Sequence, residues 1–367
     1  MNERLLHQIA LNFLPSVGDV LVKGLVSYCG GVKEVFDASH AKLKRAPGIG
    51  DIRAKEILDS NALDRAADEL KFIVKHDIKP LFYLDADYPK RLLQCHDSPV
   101  MLYYKGNADL NMQRIISIVG TRNATDYGRM ATEMLLEKLK AHNILVLSGM
   151  AFGIDIIAHK AALKQGLPTI GVLAHGLDRL YPSQHKSTAD KMYEQGGLLT
   201  EFPSGTMPDR ENFPRRNRIV AGMSDATIVI ETKIKGGSMI TATLANSYDR
   251  DVFAVPGNIG QICSEGCNYL IRTNRAAILD SVDEFLEVMR WADKENTPTP
   301  ARQLLLIADL EPDEDAIVQL LQQHTQLAID ELTYRARIPA SQVAAALLGL
   351  ELKGIVRTLP GKAYKLV

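Results

Sequence analysis

The stretch from Ile144 to Leu163, ILVLSGMAFGIDIIAHKAAL, constrains this chain most, because a short apolar run breaks into small residues and opens a helix at once. Ile144 to Leu147 is too short and too apolar for anything but a buried strand. Ser148, Gly149, Ala151 and Gly153 then let a ligand approach the backbone, and a helix starting near Ile154 aims the positive end of its dipole at the same spot. Met150 and Phe152 share the turn and count among its candidate binding residues, although the ring of Phe152 reads more as core than as a platform for stacking bases. Such a turn binds phosphate in some proteins and only packs in others, so the rest of the chain decides its meaning.

A chain of 367 residues is long enough for two or three domains, each able to bury a core. With a net charge of −1 it is no globally basic coat for nucleic acid, and any such site must be a local patch. No uninterrupted apolar stretch approaches the roughly 20 residues needed to cross a bilayer, so a cytoplasmic protein with no membrane partner is expected. The four cysteines, Cys29, Cys95, Cys263 and Cys267, are too scattered for a disulfide framework, and their spacing gives no zinc pattern. No metal and no cofactor is expected.

Residues 1–80 read as short amphipathic helices. Within them Ala46-Pro47-Gly48-Ile49-Gly50 followed by Asp51–Leu58 resembles a helix-hairpin-helix, with Lys42, Lys44, Arg45, Arg53 and Lys55 nearby. Such a turn either offers amides to a phosphate or serves as a packing element, and the surrounding acids nearly balance these bases. From Leu81 to Gly106 the pattern suggests an extended connector with a short strand or two. Strand-like runs then alternate with helical stretches: Ile115–Val119, Ile144–Leu147, Thr169–Leu173, Thr227–Glu231, Val252–Val255 and Ala277–Leu279. That alternation predicts an α/β core over 81–290, a doubly wound, mostly parallel sheet of extended Rossmann-like type. Residues 291–303 read as a linker, and 304–367 as a winged helix with a two-stranded wing.

In such a sheet ligands bind beyond the carboxyl ends of the strands. There the sequence places Gly120-Thr121-Arg122, whose arginine fork suits phosphate oxygens, and Lys186 after Tyr181-Pro182-Ser183-Gln184-His185. Phe213-Pro214 leads into Arg215, Arg216, Asn217 and Arg218, while Lys235 precedes Gly236, Gly237, Ser238 and Thr241 at a further glycine-rich helix start. The arginines could instead make structural ion pairs with Asp155, Glu201 or Glu231. His159 reads as structural. The coincidence of three glycine-rich strand ends with several cations favours a polyanion or nucleotide.

Together, YPKRLL from Tyr88, IVGTRNATDYG from Ile118, SGMAFGIDIIAH from Ser148, YPSQHK from Tyr181, TEFPSG from Thr200, FPRRNRIVAG from Phe213, KGGSMITATLA from Lys235 and FAVPG from Phe253 are highly specific. The chain resembles the DNA-processing protein A family, DprA/Smf, over nearly its whole length. The resemblance implies a non-catalytic homodimer that binds single-stranded DNA and loads the RecA recombinase during natural transformation, with single-strand-binding protein as a further candidate partner. Carried over by position, Arg122 and Lys186 match family contacts to single-stranded DNA, and Gly120, Ser148, Gly149 and Gly153 would form the backbone part of that pocket. Thr200-Glu201, Gly236-Gly237-Ser238 and Asn274 depart from frequent family residues, the threonine and the glycine keeping the hydroxyl or the small volume. Asp155, His159, Glu201 and Glu231 are expected to organise the wall.

The alternative is a nucleotide-processing enzyme of phosphoribohydrolase type with Asp155, Glu201 and Glu231 as acid–base candidates. Against it, Lys235-Gly236-Gly237-Ser238 lacks the glycine-rich run with glutamate that those enzymes carry. From Gln303 to Val367 there are six Lys or Arg against eight Asp or Glu, an unfavourable balance for gripping a duplex. A protein-contact or regulatory role is expected of that domain.

Overall fold

Alternate residues of the central strands enter different cores, which is what a sheet covered on both faces requires. Ile115, Val119, Leu145 and Leu147 face one hydrophobic layer, and Ile116, Ile118, Ile144 and Val146 face the other. The computed structural model describes residues 3–292, 310–324, 326–359 and 363–366; the expected linker lies, from 293 onward, outside the described residues. The chain divides into two units, Met1–Asp293 and Lys294–Val367.

The first unit opens with helices α1 (Glu3–Ala10), α2 (Asp19–Cys29), α3 (Val32–Phe36), α4 (His40–Lys44), α5 (Gly50–Leu58) and α6 (Ala62–Lys75). Strand β1 (Lys79–Phe82), helix α7 (Lys90–Leu93) and strand β2 (Met101–Gly106) follow. Then come β3 (Ile115–Val119), α8 (Asp126–Leu139), β4 (Leu145–Ser148), α9 (Ile154–Lys164), β5 (Thr169–Val172), α10 (Lys186–Glu194) and β6 (Gly196–Thr200). The unit closes with α11 (Asn212–Met223), β7 (Ala226–Val229), α12 (Gly237–Ser247), β8 (Asp251–Ala254), α13 (Glu265–Arg272), β9 (Ala277–Ile278) and α14 (Val282–Val288).

The nine strands lie in the order β1-β2-β6-β5-β4-β3-β7-β8-β9. All neighbours from β6 to β9 are parallel, while β1 on β2 and β2 on β6 are antiparallel. The segment expected as a connector thus supplies two strands that extend the sheet. Their outer face, with Met101 and Tyr103, shares a core with α1–α6, so the N-terminal helices and the sheet pack as a single unit. After β3 the chain winds outward to β6 and returns to place β7 on the other side of β3. That reversal opens a crevice beyond the carboxyl ends of β3 and β7, where an α/β sheet takes its ligand.

In the hairpin of α4 and α5, Gly48 and Gly50 have positive φ as the tight turn demands. Its cations are largely engaged: Arg53 donates to the Gly48 carbonyl at 2.6 Å, Lys44 pairs with Asp51 at 2.7 Å, and Lys42 donates to the Cys29 carbonyl at 3.2 Å. Three of the five cations near this turn are thus held by the protein's own groups.

In the second unit, α15 (Pro312–Gln323), α16 (Ile329–Ala336) and α17 (Ala340–Leu352) bury Ile317, Leu321, Leu332, Val343, Leu347 and Leu350. A small sheet in the order β10 (Leu327–Ala328), β12 (Ala363–Leu366), β11 (Val356–Leu359) completes the winged helix, with one strand more than the expected wing. Glu331 holds Arg335, and Glu314 holds Lys353, so two of the domain's cations are neutralised in place.

Candidate functional site

The crevice is a cleft of about 270 Å³ whose walls come from the ends of three strands and from three helices, α9, α11 and α12. Gly120, Thr121 and Arg122 enter after β3, Gly149 and Ala151 after β4, and Thr232 and Lys233 after β7. Gly236, Gly237, Ser238 and Thr241 bring the start of α12, and Phe213, Arg216 and Asn217 come from α11. Arg122, Arg216 and Lys233 face a single lining carboxylate, that of Asp155. The surplus is positive and suits an anion.

Two glycines of the opening turn are fixed by sterics. At Gly153, φ is +76° and an added Cβ would strike the Thr121 and Arg122 backbone, so the loops after β3 and β4 meet only because no side chain intervenes. A Cβ on Gly149 would strike both the Arg216 guanidinium and the Asp155 carboxylate. Arg216, buried beneath the cleft floor, donates to the Val172 carbonyl, and Asp155 accepts from the Ala151 amide at 3.3 Å. Burial raises the pKa of Asp155 and lowers that of Arg216, and the attraction between the two opposes both shifts.

His159 lies behind this wall. It is fully buried, with Nε2 donating to the Gly149 carbonyl at 2.6 Å and Nδ1 against the Thr169 hydroxyl at 2.7 Å. Burial lowers its pKa to about 4, so the ring is neutral. A carbonyl can only accept, which puts the proton on Nε2 and leaves Nδ1 facing a Thr169 hydroxyl that also lies 3.0 Å from the Val146 carbonyl. Glu231, equally buried, accepts from the amide of Thr125 at 3.0 Å and from its hydroxyl at 2.5 Å, and so anchors the start of α8 instead of pairing with an arginine. Ser148 is also inward, donating to the Ile118 carbonyl at 2.6 Å, and Met150 is packed with Leu173 and Met192.

The arginines of α11 separate by helical phase. Arg215 and Arg218, three residues apart, leave the cleft and meet Glu201 on the other side, where Arg218 also pairs with Asp19 of α2 at 3.0 Å. The expected place of Arg218 in a phosphate groove is therefore corrected, for it is buried and committed to two carboxylates, while Arg215 stays exposed outside the cleft. Glu201, held by Arg218 and Arg215, ties α11 to the N-terminal helices and does not line the cleft.

Arg122 remains free. It is exposed, its guanidinium stacks over Phe213 at 5.4 Å from the ring centroid, and it has no ion pair among the described residues. Phe152, expected in the core, is 46% exposed because the turn lifts it out of the sheet; its ring meets His185 edge-on at 4.9 Å. With Tyr181 and Phe213 it lines an apolar pocket that adjoins the cleft across Arg122 and Arg216. Lys186 lies outside both, at the start of α10, paired with Asp190 at 2.9 Å. Lys233 and the ring of Tyr181 were not singled out from the sequence as site residues; the signal for Lys233 was its place at a strand end two residues before Lys235.

Residues 79–290 match the family model for DNA recombination-mediator protein A, and 298–362 match the DprA winged helix domain. Protein Smf of Synechocystis is 31% identical, with 99% of each chain covered. The DNA processing protein DprA of Streptococcus pneumoniae is 39% identical over 56% of this chain and 72% of its own length. The X-ray structure of DprA from Streptococcus pneumoniae superposes with a TM-score of 0.68 at 30% identity, covering 77% of this chain and 97% of that one. DNA processing protein A from Helicobacter pylori, whose structure concerns its single-stranded DNA binding mode, gives 0.53 at 29% identity over 58% of this chain and 95% of its own.

Proposed function

Because the chain belongs to the DNA recombination-mediator protein A family, we propose that its cleft grips the phosphates of single-stranded DNA and that the protein presents the strand to RecA in natural transformation. The observation that carries this reading is the free guanidinium of Arg122, held between a positively charged cleft and an apolar, aromatic-lined pocket. Phosphates take the first, and bases stack on the exposed rings of Phe152 and Tyr181 at the rim of the second, the combination that single-strand binders use. A homodimer would set two such grips on one strand, strengthening binding roughly a hundredfold or more where geometry permits.

The reading is non-catalytic. Of the three carboxylates an enzyme of this type would need, Glu201 is bound to Arg218 and Glu231 to Thr125, which leaves Asp155 alone at the cleft. Release of free base from nucleoside monophosphates would favour the enzyme instead. For the winged helix the reading is protein contact, since the outward residues of α17 include Ala344, Ala345, Leu348 and Leu352 and no cation before Lys353. Duplex binding by the second unit at physiological salt would refute it.

The deciding experiment follows RecA filament formation on DNA coated with single-strand-binding protein. Stimulation by the native chain, lost in Arg122→Ala, supports function and site together. A native chain that leaves filament formation unchanged overturns the proposal.

A further inference from the structure

Beyond Arg122 the surface continues into a second depression, of about 300 Å³, between α8 and α9. Phe152 and Asn123 flank it, and Arg129 from α8 and Lys160 from α9 stand over it. Both cations are exposed, and neither has an ion pair or side-chain hydrogen bond among the described residues. Lys160 has no carboxylate one turn away on its own helix, where Ile156, Ile157, Leu163 and Lys164 are its neighbours. Glu133 is the one carboxylate on the depression, against Arg122, Arg129 and Lys160. The helices that carry them are fixed on the sheet by Leu135, Leu136, Ile154 and Ala158, so both side chains start from fixed points beside the depression.

We propose that this depression is a further phosphate subsite, through which single-stranded DNA leaves the cleft over Arg122 and runs on past Arg129 and Lys160. The inference rests on the reading of the cleft given above. Arg122 lines the cleft, the aromatic pocket and this groove, and Phe152 lines the last two. A ligand that spans them must be long, anionic at intervals and able to turn a flat face to Phe152. A mononucleotide can occupy the cleft or this depression but not span both. An acidic protein segment would satisfy the charges but leaves the aromatic wall without a role.

The test uses the full chain and labelled oligothymidylates of about 4 and about 20 nucleotides, lengths near the limits of single-strand site sizes. In the double variant Arg129→Ala, Lys160→Ala, affinity for the long strand falls about tenfold, and the slope of log affinity against log salt becomes shallower by about 1.4, two phosphates at about 0.7 each. The short strand, which the cleft accommodates, binds as before. Glu133→Gln acts in the opposite sense, tightening the long strand a few-fold. Unchanged long-strand binding in the double variant, or equal loss for both lengths, overturns the subsite. Failure of the native chain to bind either length overturns the cleft reading itself, as does undiminished short-strand binding in Arg122→Ala.

Discussion

The Arg216 guanidinium and the Asp155 carboxylate converge on the one volume that a side chain on Gly149 would occupy. Opposite charges from α11 and α9 are thus brought together over the turn that follows β4, and the turn stays open because it carries no Cβ.

Gly149→Ala should therefore displace both charged groups. Overpacking of this kind costs about 1–3 kcal/mol, which denaturant unfolding would read, and the displaced Arg216 should weaken single-strand binding in whatever fraction remains folded. Wild-type stability and affinity together would contradict the contact.

Arg122→Ala should reduce affinity by similar factors on thymine and mixed-sequence strands, because a guanidinium on phosphate reads no base. Arg122→Lys keeps the charge but loses the planar fork stacked on Phe213, and should recover only part of the loss. Fluorescence anisotropy across several sequences checks both.

Phe152→Ala removes a ring that is half in water, so thermal stability should hardly change. Affinity for single strands should fall by about 1–3 kcal/mol, the usual worth of one base stacked on an aromatic side chain. A drop in melting temperature with unchanged affinity would assign the ring to packing.

The pKa of His159 is lower in the folded chain, about 4, than its ordinary value of 6.5, so the unfolded chain binds the extra proton first on acidification. Its contribution to stability is complete above about pH 6.5 and is lost as pH falls through about 4, a change on the order of 3 kcal/mol. Unfolding free energy measured across that window should fall with acid in the native chain and fall less in His159→Gln.

Glu201→Ala leaves Arg218 buried with Asp19 as its remaining carboxylate. Losing one partner of a buried pair costs about 3–5 kcal/mol, measurable by chemical denaturation. At temperatures where the variant is folded, single-strand affinity should match the native chain, because Glu201 lies away from the cleft.

Much of this arrangement is written in local pattern. The apolar runs at Ile115, Ile144 and Thr169 coincide with strands to within a residue or two, and the turns after them reach one edge because parallel strands must all end on the same side. The fate of Arg215, Arg216 and Arg218 is different. Their division between cleft and ion pair follows from a helical phase of about 100° per residue, but which phase meets Glu201 depends on Asp19, two hundred residues away and invisible to any local window. Phe152 was misplaced for the opposite reason: an apolar ring beside glycines reads as core until the turn is seen to lift it above the sheet. The short strands expected between Leu81 and Gly106 could be located but not placed in the sheet, because β2 is joined to it by β6, nearly a hundred residues later.

The shared packing of α1–α6 with Met101 and Tyr103 bears on how the molecule can be dissected. A fragment begun at residue 79, where the family match starts, would turn those side chains out to water and strip Asp19 from Arg218. It would carry every residue of the cleft and still present a greasy face with a broken charge pair beneath it, inviting aggregation. Loss of binding in such a fragment would then report on solubility rather than on any role of the missing helices in gripping DNA.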